Sequence, residues 1–133
     1  MAAAAINWWR LGAISGGIAV ALGAFGAHGL KPLLDAYQVG IYEKAVHYQF
    51  FHTLAILACV LLMQKNPDNK QLLWAARLFG FGILCFSGSL YLLATRHLLP
   101  VPLGWVGPVT PIGGVSFIGG WVLLALAAGK QKA

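Results

Sequence analysis

The sequence predicts an all-α fold, a four-transmembrane-helix bundle, and three observations carry that expectation. Twenty residues without a formal charge separate Arg10 from Lys31. A second uncharged run of twenty covers 45–64, a third of eighteen covers 78–95, and the 33 residues 97–129 hold a fourth apolar stretch behind a Pro-rich loop. With 59% hydrophobic and 9% charged residues and a mean hydropathy of +0.77, the chain lacks the polar surface needed to cover a soluble globule. About 20 helical residues cross a hydrocarbon core roughly 30 Å thick. The 133 residues therefore suit one membrane domain with spans near 11–29, 45–64, 72–95 and 111–128.

The first span carries Gly12, Gly16, Ala19, Gly23 and Gly26, spaced 4, 3, 4 and 3, which aligns them along one helix face. Helices in lipid associate through close backbone approach, so this seam is a surface for another helix to pack on. Gly113, Gly120 and Ala127 repeat the device in the last span at seven-residue intervals. Packing inside the bundle is the first use of such seams; a homo-oligomer built on the same Gly-rich faces is the second. Arg10 ahead of an apolar run imitates a signal peptide, but the run exceeds an h-region of about 7–15 residues, so an uncleaved first span is expected.

After Gly29, the order Lys31-Pro32-Leu33-Leu34-Asp35, with Leu34, Tyr37, Ile41 and Ala45 at helical spacing, predicts a short outer amphipathic helix, kinked at Gly40, before the second span. Pro67, Asp68 and Asn69 mark a polar turn. Pro100, Pro102, Gly104, Gly107, Pro108 and Pro111 exclude regular helix from the next loop. Because that loop is uncharged, it is expected to fold back on the bundle near the interface. Thr110 then reads as an N-cap with Pro111 at the first helical position.

The nine basic residues are scattered around span ends instead of forming a stripe with interleaved aromatics, which excludes a nucleic-acid partner and leaves membrane lipids as the expected surroundings. Lys and Arg near span ends are retained on the cytoplasmic side. Four spans put Arg10, Lys65, Lys70, Arg77, Lys130 and Lys132 on one side and Lys31, Lys44 and Arg96 on the other, so both termini are expected in the cytoplasm. Trp8, Trp9 and Trp74 then lie at the inner interface and Trp105 at the outer one.

This topology gathers His28, Glu43, His47, Tyr48, His52, Arg96 and His97 toward the outer half of the membrane. Ionisable groups there are costly unless partnered, and they often mark ion, proton or substrate paths. Metal or haem ligation lacks an HxxxH-type spacing: His47 and His52 are five residues apart, about 140° around an ideal helix. No metal and no cofactor is expected. His52 with Glu43 could titrate along a proton or solute path. Arg96 with the amides of Gly113 and Gly114 could hold an anion or lipid headgroup at a helix start. The fourth reading is structural, with polar side chains bonding across helices and pinning their register. Ser87 and Ser89 have no acidic or basic neighbour to activate them, and Cys59 and Cys85 lie inside apolar runs as small hydrophobes.

Four ordered strings carry a family resemblance: Gly23-Ala24-Phe25-Gly26-Ala27-His28-Gly29, Tyr48 to Leu57 around His52, Phe86-Ser87-Gly88-Ser89-Leu90-Tyr91, and Thr110 to Phe117 followed by Gly120-Trp121. Over residues from about 14 to 128 the chain resembles the YgdD/YwdK-like small membrane proteins, domain of unknown function 423. The resemblance implies a four-span protein of the bacterial inner membrane and no particular activity. It matches at His28 and His52, which ranks them above His47 and His97. A non-enzymatic membrane component with a polar cluster near the outer face is the expected role. A channel or transporter for a proton or small solute comes second, a metal-dependent enzyme third.

Overall fold

In the computed structural model, which describes residues 2–129, helix is the only regular secondary structure. Helix α1 runs Ala2–Phe25, widens into a π-helical turn at Gly26–Leu30 and tightens into a 3₁₀ turn at Lys31–Leu33. Helix α2 covers Ala36–Lys65 and α3 covers Lys70–Gly82. A second π-helical turn, Ile83–Ser87, joins α3 to α4 at Gly88–Thr95, and α5 covers Val109–Ala128. Four stretches are long and apolar enough to cross a membrane: Ala2–Leu33, Ala36–Lys65, Lys70–Leu98 and Gly104–Ala128. Lys130 and Lys132, used above for orientation, lie outside the described residues.

The chain crosses back and forth, so both described ends lie at one end of the bundle. Ala2 lines a cavity with Gln64 and Pro67, and the Asn69 amide lies 3.5 Å from the Ala127 carbonyl. This is the terminal end; the links around 31–35 and 96–108 form the connection end. Near the terminal end the interior is apolar, with a cavity of about 500 Å³ opening beside it at Ala5, Val60 and Met63. Ala5, Ala55, Ile56, Cys59, Val60, Met63, Leu72, Ala75, Ala76 and Phe79 are buried together, with Trp8 and Leu62 packed against them. Leu30, Tyr42 and Ala94 form a smaller cluster at the connection end.

Both glycine seams are consumed inside the chain. A Cβ at Gly12 would come within 2.7 Å of Leu57, one at Gly16 within 3.6 Å of Thr53 and one at Gly23 within 3.4 Å of Val46, while one at Gly26 would overlap the Tyr42 ring. The first seam therefore seats α1 on α2. In α5, a Cβ at Gly120 would come within 2.6 Å of the Phe79 ring, and one at Gly113 would meet the backbone of Phe86 in the second π turn. Both seams thus pack against other helices of the same chain, whereas a Cβ at Gly17 would meet nothing within 4 Å among the described residues.

Three local expectations need correction. No separate amphipathic helix precedes the second span: the segment forms the opening turns of α2, without a break at Gly40. Asp35 starts that helix through a capping box, its carboxylate accepting from Gln38 N at 2.8 Å while Gln38 Oε1 accepts from Asp35 N at 2.9 Å. Once nucleated, a helix tolerates one interior glycine at a cost of only about 1 kcal/mol. Thr110 is not an N-cap, because α5 already begins at Val109; its hydroxyl instead lies 2.6 Å from that of Ser89. The amides of Gly113 and Gly114 consequently fall beyond the four unsatisfied donors of a helix start, which removes the expected anion site there. The Pro-rich loop does fold back, burying Val106. Trp8 is half-buried against Gly80 in the packing, while Trp9, Trp74 and Trp105 are exposed.

Candidate functional site

The expected polar cluster is distributed over two places, and three of its members, His28, Arg96 and His97, join neither. Glu43 and His47 line a cavity of about 310 Å³ between the end of α1 and the start of α2, together with Lys31. Tyr48 and His52 line a shallow groove of about 690 Å³ with Phe86, Phe117 and Trp121, between α2 and α5. Helix geometry forces the split, because five residues turn His52 about 140° away from His47. His28 is exposed beyond the end of α1, and Arg96 is exposed on its 3₁₀ turn. Among the described residues no three His, Cys, Asp or Glu side chains gather as a metal site would require.

His52 also lies deeper than expected. It is sixteen residues from the start of α2, roughly 24 Å along a helix about 45 Å long, and therefore near its middle. Its surroundings determine its chemistry. The indole N–H of Trp121 lies 3.1 Å from His52 Nε2, and indole nitrogen donates but does not accept. His52 Nε2 must therefore be the acceptor. His52 Nδ1, 2.7 Å from the Tyr48 carbonyl, must then carry the proton and donate it. The ring is the neutral Nδ1–H tautomer with both nitrogens engaged. One face stacks on Phe117, with centroids 3.5 Å apart and planes 9° apart, and Phe79 packs obliquely at 5.6 Å. A metal ion or an incoming proton would have to displace Trp121 to reach the lone pair.

A second set of polar groups, absent from the sequence-based candidates, ties α1, α2 and α4 together. Tyr91 donates its hydroxyl to Gln49 Oε1 at 2.7 Å, and Gln49 Nε2 donates to the Ser15 carbonyl at 3.0 Å. The Ser15 and Thr53 hydroxyls are 2.7 Å apart. Tyr42 donates to the Leu22 carbonyl at 2.6 Å and meets the Tyr91 ring edge-on at 5.2 Å. Gln49 and Thr53 are one helical turn apart on α2, on the face opposite His47. That spacing was the available signal, but which partners would answer it depends on packing. On α5, Ser116 donates to the Leu78 carbonyl at 2.7 Å, and Ser89 donates to its own Phe86 carbonyl at 2.9 Å while facing Thr110. Ser87 is fully buried in the π turn and its hydroxyl has no partner among the described residues.

At the connection end His97 acts as a clasp. Gln38 Oε1 is committed to the capping box, so its Nε2 donates to His97 Nδ1 at 3.1 Å, leaving His97 Nε2–H to donate to the Leu33 carbonyl at 3.0 Å. The third span is thereby tied to the start of the second.

A double-mutant cycle checks the Tyr91–Gln49 link. Tyr91→Phe is expected to cost about 0.6–1.7 kcal/mol of bundle stability, the range of interhelical hydrogen bonds in membranes. Gln49→Leu should cost more, since it abandons Tyr91 and Ser15 together. Once Gln49 is gone, Tyr91→Phe should become nearly neutral, as read from reversible unfolding in bicelles.

The comparisons with known proteins agree with this membrane architecture. Residues 22–114 match the family described as "Protein of unknown function (DUF423)". UPF0382 inner membrane protein YgdD of Escherichia coli K12 is 45% identical over 120 residues, covering 90% of this chain and 87% of that one. UPF0382 membrane proteins of Staphylococcus epidermidis and Staphylococcus saprophyticus are 46% and 42% identical over 120 residues, covering 90% of this chain and 93% and 94% of theirs. No solved structure matches. With the family match spanning more than half its length and these relatives aligned along nearly all of it, this four-helix membrane protein belongs to the DUF423 family.

Proposed function

We propose that the protein is a non-enzymatic component of the bacterial inner membrane, with both termini in the cytoplasm, whose buried polar groups lock four helices into register. The observation that carries this reading is the closed hydrogen bonding of His52, whose lone pair is held by an indole N–H and whose proton is held by a carbonyl. A proton relay needs groups that both accept and donate, and neither neighbour does. The Gln49 chain ends likewise on the Ser15 carbonyl, and an amide is not a proton carrier at neutral pH. Toward the terminal end, the fully buried Cys59, Leu72, Ala75, Ala76 and Phe79 fill the space a transport path would need. Leu84 takes no part in that seal and faces outward at 75% exposure. The cytoplasmic placement of the termini draws support from the excess of Lys and Arg at the terminal end, and the inner-membrane location from the printed name of the Escherichia coli relative.

The competing reading, a proton or solute channel, is separated by flux. In proteoliposomes carrying an internal pH dye, an imposed proton gradient with valinomycin and potassium should decay at the rate of protein-free vesicles. A faster decay that His52→Ala abolishes would overturn the proposal.

A further inference from the structure

The cavity between α1 and α2 has features that packing alone does not require. On the α1 side it is lined by Gly23, Gly26 and Ala27, the last two belonging to the first π-helical turn. Such turns are rare and recur at functional sites. Its rim carries a cation, a carboxylate and an imidazole, Lys31, Glu43 and His47, all three exposed. It sits at the connection end beside the 3₁₀ turn Lys31–Leu33, the level at which the apolar span gives way to polar sequence and at which phospholipid headgroups lie. At about 310 Å³ it is at the small end of the range for ligand sites, roughly 300–1,000 Å³.

We propose that this cavity binds the headgroup of phosphatidylethanolamine. The headgroup presents one anion and one primary ammonium, matching one lysine and one carboxylate on the same rim. Lys31 would meet the phosphate, with His47 as a further donor, and Glu43 would accept hydrogen bonds from the ammonium. Charge-assisted bonds of this kind are among the stronger polar contacts. A choline headgroup has no N–H to offer Glu43, and cages for quaternary ammonium are aromatic, whereas the sole aromatic lining besides the His47 imidazole is Tyr42, whose hydroxyl is committed to the Leu22 carbonyl. A phosphatidylglycerol headgroup keeps the phosphate but leaves Glu43 facing a net negative ligand. The acyl chains would leave through the open side of the cavity into the surrounding lipid. This inference is independent of whether the polar core is purely structural.

Native mass spectrometry of the intact protein tests it, with phosphatidylethanolamine, phosphatidylcholine and phosphatidylglycerol of identical chains supplied in equal amounts. Wild type should retain phosphatidylethanolamine about tenfold over each of the others, the ratio expected for one good charge-assisted contact. Glu43→Gln should abolish that preference while leaving some binding of all three lipids, and Lys31→Gln should weaken all three. Both side chains are exposed, and circular dichroism should show unchanged helicity in each variant. Equal retention of the three lipids by wild type, or an undiminished preference in Glu43→Gln, would overturn the proposal. Soluble phosphoethanolamine at millimolar concentration should leave the lipid adduct intact; its binding in place of the lipid would also overturn it.

Discussion

Gly113→Ala is expected to cost the bundle about 3 kcal/mol, at the upper end of what one added methyl does to a packed interior. The new Cβ would fall inside the backbone of Phe86, meeting its amide nitrogen and Cα. Clashes at other glycines are of a softer kind: Gly26 faces the Tyr42 ring, Gly82 the Phe117 ring and Gly120 the Phe79 ring, and rings can rotate away. Backbone in a helix cannot. Nor can α5 slide past the obstruction, because Thr110 and Ser116 are hydrogen-bonded to the third span on either side of Gly113, at 2.6 and 2.7 Å. Two alanines serve as controls. A Cβ at Gly17 meets nothing within 4 Å and one at Gly114 only the edge of Phe86 at 3.9 Å, so these substitutions should be neutral or stabilising by up to about 1 kcal/mol through helix propensity. Reversible unfolding in bicelles, with circular dichroism to verify helicity, reads all three.

His52→Ala should have an effect of comparable size, about 2–4 kcal/mol. It empties a space bounded by Phe117 and Phe79, and truncating a large buried side chain to alanine costs about 2–5 kcal/mol. It also leaves the Trp121 indole N–H without its acceptor, in lipid where no water can replace it. Trp121→Phe removes the hydrogen bond and keeps an aromatic ring, so it should cost only about 0.6–1.7 kcal/mol. In the His52→Ala background the further cost of Trp121→Phe should fall close to zero. A His52→Ala protein as stable as wild type would show that the ring is not part of what holds α2 against α5.

The fold was legible because charge marks the boundaries of membrane helices so plainly. Arg10 and Lys31, Lys65 and Lys70, and Arg96 bracket the spans, and the 4-3-4-3 spacing of Gly12, Gly16, Ala19, Gly23 and Gly26 exposes a packing face without reference to any partner. The opening of α2 was misread because Gly40 and amphipathic spacing suggest a break, whereas the decisive residues are Asp35 and Gln38, whose reciprocal capping starts one continuous helix. Neither π-helical turn carries a local signature in the sequence. At the site, periodicity alone separates His47 from His52 around α2, but depth does not follow from span boundaries misplaced by nine residues, 36 against 45. The pairing of His52 with Trp121 joins residues 69 apart in sequence, and that of Gln49 with Tyr91 joins residues 42 apart. Such pairings are products of how the helices rotate against each other, and one helix read alone does not contain them.

The central claim is that His52 is a closed structural group, neutral, protonated on Nδ1 and capped on Nε2 by Trp121. Nitrogen-15 NMR of histidine-labelled protein in lipid at neutral pH reads this directly, since the two ring nitrogens report separately which one bears hydrogen. The expected spectrum for His52 is a single Nδ1–H tautomer whose unprotonated Nε2 resonance shifts when Trp121 is replaced by phenylalanine. An imidazolium, an Nε2–H tautomer, or an Nε2 signal indifferent to Trp121 would contradict it.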